Sequence, residues 1–150
     1  MHKTRFVRQA LVAGMSIAAL AFAGCAEMKS MMHTHHMVNV QLSGGEEVPP
    51  VTTTARGAGT INVTADKMVS GSVTTTNLPT AMAAHIHTGA RGQNGPIAVG
   101  MVKTSDNVWS LPAGSRFTDA QYEAFRAGNT YVNVHTPANK GGEIRGQLHP

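Results

Sequence analysis

From Val38 onward, apolar side chains recur at every second position, in runs too short to make helices. Val38, Val40 and Leu42 alternate with Asn39 and Gln41, and the run stops at Ser43-Gly44-Gly45 and at Pro49-Pro50. A period of two puts the apolar set on one face of an extended strand and the polar set on the other. The signature returns at about 58–65 (Ile61, Val63), 68–76 (Val69, Val73), 82–87, 96–103 (Ile97, Val99, Met101), 107–111, 130–136 and 143–148, with turn-forming breaks between the runs. Short strands at this spacing predict an antiparallel sandwich or barrel rather than βαβ units. The exception is Thr118-Asp119-Ala120-Gln121, a capping-box sequence. It is followed by Tyr122 and Phe125 on one helical face and by Gly128, which offers a C-terminal stop. The predicted helix plugs one end of the β structure.

At 150 residues and 15.7 kDa the chain holds one ordinary domain and excludes a two-domain enzyme. Its single cysteine excludes an internal disulfide and a thiolate-rich metal cluster. The formal charge of +4 suggests an acidic partner until the charges are located. Lys3, Arg5 and Arg8 precede an apolar stretch from Ala10 to Ala23, too short and alanine-rich for a transmembrane span, and this organisation reads as an export signal over residues 1–24. Removing it leaves nine basic and eight acidic side chains, a charge of +1, with no cationic cluster interleaved with aromatics. Nucleic acid is therefore not an expected partner.

The signal ends in Phe22-Ala23-Gly24-Cys25, which resembles a bacterial lipobox, with Phe22 where leucine is usual. The resemblance implies lipidation of Cys25 and anchoring of the exported protein in a membrane by its acyl chains. Ala26 is not the aspartate that retains such proteins in the inner membrane, so the expected location is the outer membrane, periplasmic or surface-facing. Residues 25–36 then form a tether without sustained periodicity, and the domain occupies 37–150. The tether carries Met28, Met31, Met32, His33, His35 and His36, with Met37 following. Thioethers and imidazoles are the donors that soft Cu(I) and borderline Cu(II) prefer.

Within the domain, Met82-Ala83-Ala84-His85-Ile86-His87 places His85 and His87 on one strand face and Ile86 and Ala84 on the other. Tyr131-Val132-Asn133-Val134-His135 repeats the pattern, with Val132 and Val134 inward and His135 on the opposite face. If the two strands are neighbours, three imidazoles converge on a copper or zinc ion, with one position left for water or substrate. His149 is an auxiliary ligand candidate. Glu143 could orient an imidazole as a carboxylate acceptor, or pair at the surface with Arg145. The loop Gly89–Gly95 lacks the Gly-Lys-Ser/Thr ending and following helix of a phosphate-binding loop and reads as a plain turn. No Gly-x-Ser-x-Gly elbow or carboxylate pair supports hydrolase chemistry.

Leu42-Ser-Gly-Gly-Glu-Glu-Val-Pro-Pro-Val51, Ala84-His-Ile-His-Thr-Gly89, Asn94-Gly-Pro-Ile97, Ala127-Gly-Asn-Thr-Tyr-Val-Asn-Val-His-Thr136 and Gly142-Glu-Ile-Arg-Gly-Gln-Leu148 resemble, in order, the motifs of the CHRD (chordin) domain over roughly residues 37–148. That family includes exported bacterial proteins of unassigned role, so the resemblance implies a fold more firmly than a function. A second likeness is to copper/zinc superoxide dismutase, which implies copper ligation by His85, His87 and His135. The chain lacks a bridging histidine, a zinc-ligand His/Asp loop between 88 and 96 and an intrachain disulfide, and its Arg145 belongs to the Gly-Glu-Ile-Arg-Gly-Gln motif. The expected fold is an all-β, antiparallel, Greek-key-like sandwich of superoxide-dismutase type with one short helix. The expected function is copper binding at the cell envelope, for sequestration, delivery or tolerance. The alternatives are a metal-free structural or adhesive module with an envelope protein partner, and a copper-only dismutase-like enzyme.

Overall fold

A computed structural model describes residues 35–150. The export signal, Cys25 and the tether donors Met28, Met31, Met32 and His33 lie outside the described residues. Eight strands run in chain order: β1 (His35–Ser43), β2 (Arg56–Thr64), β3 (Val69–Thr76), β4 (Ala83–Thr88), β5 (Ile97–Ser105), β6 (Val108–Ser110), β7 (Thr130–His135) and β8 (Ile144–Leu148). They fall close to the runs of period two. The helix α1 (Asp119–Arg126) begins at Thr118, whose hydroxyl accepts from the Gln121 N–H while the Gln121 side chain accepts from the Thr118 N–H. This reciprocal cap is the one its sequence predicts.

The strands do not form two stacked sheets. All pairings are antiparallel and the sheet closes on itself in the order β1-β2-β3-β6-β5-β4-β7-β8, with β8 meeting β1 at Ser43 and Arg145. Closure gives every strand a hydrogen-bonded neighbour on both sides and leaves no free edge. The expected sandwich is thus replaced by a barrel, and its core is a single apolar cluster. Val38, Val40 and Leu42 of β1, Ile61 and Val63 of β2, Ala84 and Ile86 of β4, and Val132 and Val134 of β7 all point inward and are buried. Phe117 and Phe125 close one end, their rings 6.0 Å apart, so α1 acts as the expected plug.

His35 and His36, the first two described residues, belong to β1 and pair with Thr64 and Val63. One position departs from expectation. Ile97, read as part of an apolar strand face, is instead 54% exposed.

β7 and β8 are buried on both faces, unlike the half-exposed β1. Inside lies the apolar core. Outside, the loops around 44–54, 89–96 and 136–143 fold down over the sheet and enclose a polar layer containing Glu47, His87, Asn133, His135, Arg145 and Gln147. Buried polar groups need partners there, and the loops supply them: Arg145 donates to the Ala90 carbonyl, Asn94 Oδ1 and Gln147 Oε1, and Gln147 donates to the carbonyls of Gly89 and Gly128.

Candidate metal centre

β4 and β7 are adjacent in the barrel, with His85 opposite Asn133, His87 opposite Tyr131 and Ala83 opposite His135. Because alternation puts residues 85, 87, 131, 133 and 135 on the outer face, the pairing sets His135 diagonally beside His85. One ligand atom from each of His85, His87 and His135 lies within 4.8 Å of the others, and no further His, Cys, Asp or Glu joins this group among the described residues. His85 Nδ1 is 2.9 Å from His135 Nε2. The sheet slips register between Ile86 and His87, a bulge that sets Ile97 rather than Ala98 opposite His87. Bulges of this kind re-aim side chains beside functional sites.

Backbone carbonyls hold two of the rings. His87 Nδ1 lies 2.9 Å from the Gly95 carbonyl oxygen, and His135 Nδ1 lies 3.0 Å from that of Lys140. A carbonyl oxygen only accepts, so each ring carries its proton on Nδ1 and leaves Nε2 unprotonated. Gly95 is demanded at its position, since a Cβ would lie 1.6 Å from the Thr88 carbonyl oxygen. His87 Nε2 is buried and has no hydrogen-bond partner. An orphaned imidazole lone pair costs free energy unless something electrophilic is meant to occupy it. His135 Nε2 accepts from His85 Nδ1, so the two atoms share one proton that an incoming cation would displace.

Burial lowers the proton affinity of all three rings. For His85 the pKa falls from 6.5 to about 4, through burial first and then through the neighbouring His135 and His87. Burial also lowers that of His87, opposed by the Gly95 carbonyl and the adjacent Asn133 side chain. Burial does the same at His135, opposed by the Lys140 carbonyl. The cluster is neutral at neutral pH, the state in which imidazole ligates.

Behind the cluster the outer layer is stacked. The His87 ring lies parallel to Tyr131, at 4.9 Å and 5° between planes, and the Arg145 guanidinium sits 3.4 Å above the Tyr131 ring centre. The Tyr131 hydroxyl accepts from the Gly95 N–H and so ties the column to the loop that holds His87. Glu47 is buried against this layer, and burial raises its pKa from 4.5 to about 7, opposed by Arg145 and by the Val48 backbone. Glu47 Oε1 and Asn133 Oδ1 are both buried without a hydrogen-bond partner. Gly142, at φ +138°, lets the chain pass over them: a Cβ there would sit 2.2 Å from Glu47 Oε1.

Glu143 takes neither of its expected roles. Its carboxylate accepts from Thr53, Thr136 and Asn139, which pins the 136–143 loop. His36 meets Phe125 edge-on at 5.8 Å, and His149 lines a separate surface cavity with Asn39, Gln41, Arg56 and Arg91. Neither they nor His35 join the three-histidine group. Sequence reasoning missed Tyr131, Asn133 and Glu47 and the carbonyls of Gly95 and Lys140. The parity of β7 carries the signal for the first two, since 131, 133 and 135 share a face.

No curated protein and no solved structure matches the chain. The family model of the CHRD domain matches residues 38–148, most of the chain and all of the strands that build the site. The chain belongs to the CHRD domain family.

Proposed function

We propose that this CHRD protein binds copper through His85, His87 and His135, and that it works at the cell envelope, held by a lipid on Cys25 to the outer membrane, in copper sequestration, delivery or tolerance. The observation that carries the reading is the convergence of three neutral imidazoles, two of them locked by backbone carbonyls with Nε2 unprotonated and one of those, His87 Nε2, buried without a partner. Among divalent first-row ions, nitrogen donors favour copper most, and imidazole also suits zinc. The lipid anchor rests on the lipobox-like end of the signal segment.

Titration of the full chain with Cu(I), Cu(II) and Zn(II), with elemental analysis, tests this. One tightly held ion per chain is expected, lost when the three histidines are replaced by alanine. Unchanged binding in that variant overturns the folded site and leaves a metal-free structural or adhesive module.

A cavity of about 300 Å³, lined by Met82, Ala83, His85, Ile97, His135 and Lys140, opens on the cluster and favours a second reading, copper-dependent redox turnover of a small molecule such as superoxide. Arg145 would not steer an anion there, because it is 1% exposed and stacked behind Tyr131. Superoxide consumption by the copper-loaded chain tests this reading.

A further inference from the structure

The open side of the three-histidine cluster has an unusual lining. Besides His85 and His135, the cavity presents Met82, Ala83, Ile97 and Lys140, with no carboxylate, hydroxyl or amide side chain. Three imidazoles leave a tetrahedral ion with one position to fill. An ammonium ligates only after losing its proton, so the thioether of Met82 is the one remaining side-chain donor on this wall.

Met82 is placed for that role by the backbone. Its N–H donates to the His135 carbonyl at 2.9 Å, and the next residue, Ala83, is the strand partner of His135. The Met82 backbone is thereby fixed beside that of His135, its side chain lines the same cavity as His85 and His135, and its rotatable bonds leave the sulfur free to adjust. Met82 is also 58% exposed and Ile97 is 54% exposed, so two of the four exposed large hydrophobic residues in the described chain flank this mouth. A wall of this kind hydrates a doubly charged ion poorly and suits a soft, singly charged one.

We infer that Met82 is a fourth, sulfur ligand to the ion held by His85, His87 and His135, and that it biases the site toward Cu(I). The inference rests on the three-histidine reading and names the ion that site takes. Neither the histidines alone nor the tether requires it.

The test compares the full chain with its Met82→Leu variant, a swap that keeps volume and apolarity. Cu(I) affinity is measured by competition with a chromophoric chelator, Zn(II) affinity by titration, and the Cu(I) environment by X-ray absorption. The expected result is a Cu(I) affinity weakened by about tenfold or more with Zn(II) affinity held within about twofold, and loss of the copper–sulfur scattering. Unchanged Cu(I) affinity in the leucine variant, or a sulfur shell that survives the substitution, overturns the role of Met82 while leaving the three-histidine site standing. A parent chain that binds neither ion overturns both.

Discussion

His85 Nδ1 and His135 Nε2 lie 2.9 Å apart although fifty residues separate them in the chain. The contact exists because β4 and β7 pair with Ala83 against His135, which sets the two rings on one diagonal of the outer face. His87, two residues along the same face, completes the group.

Removing a single ring should be enough to disable the site. His135→Ala and His87→Ala are each expected to weaken copper binding by at least about 100-fold, because even residues that only orient a ligand are worth about 10–100-fold. Chelator competition measures this, and the thermal stabilisation that copper confers on the parent should vanish in parallel.

The depressed histidine pKa values set the acid limit. Below 6.5 the unfolded chain takes up protons that the folded rings refuse, so the folded state loses stability as pH falls from 6.5 toward about 4. Burial of His87 and His135 acts in the same direction. Copper affinity should therefore hold through the usual histidine range and fall only at a pH below 6.5. Titrations at a series of pH values check it, and a midpoint at 6.5 would contradict it.

Glu47 contributes the opposite slope. Its folded pKa is raised, so the folded state binds the extra proton and stability is lost as pH rises from 4.5 to about 7. Glu47→Gln keeps the side chain's shape and removes its ionisation. At about pH 8 the variant should be more stable by on the order of 1 kcal/mol, a rise in Tm of about 4 °C, with the gain shrinking toward pH 5.

Gly142→Ala places a Cβ 2.2 Å from Glu47 Oε1 at a backbone angle of +138° that side chains rarely adopt. A loss of about 2 kcal/mol or more is expected from denaturant unfolding. Gly141→Ala next to it meets nothing within 4 Å and should be close to neutral.

Much of this protein was legible residue by residue. Val38, Val40 and Leu42 marked β1, Thr118 and Gln121 marked the start of α1, and the alternation around His85, His87 and His135 assigned each ring to the face opposite Ile86, Val132 and Val134. These features depend on local geometry, the two-residue period of a strand and the first turn of a helix, which neighbouring residues impose on one another.

Tertiary structure alone decided the rest. Period two is the same in a sandwich and in a barrel, and only the Ser43–Arg145 contact between the first and last strands closes this sheet. Alternation likewise says which face His135 occupies but not which strand lies alongside; the β4–β7 pairing is a long-range hydrogen-bonding choice. The outer face of β7 and β8 is buried by loops whose descent no strand pattern encodes, and that burial lowers the histidine pKa values, strands His87 Nε2 without a partner and turns Glu143 toward Thr53 and Thr136. The sequence by itself determined which histidines share a face. The fold determined that they meet, because desolvation and backbone carbonyls from distant loops act only once the chain has closed around them.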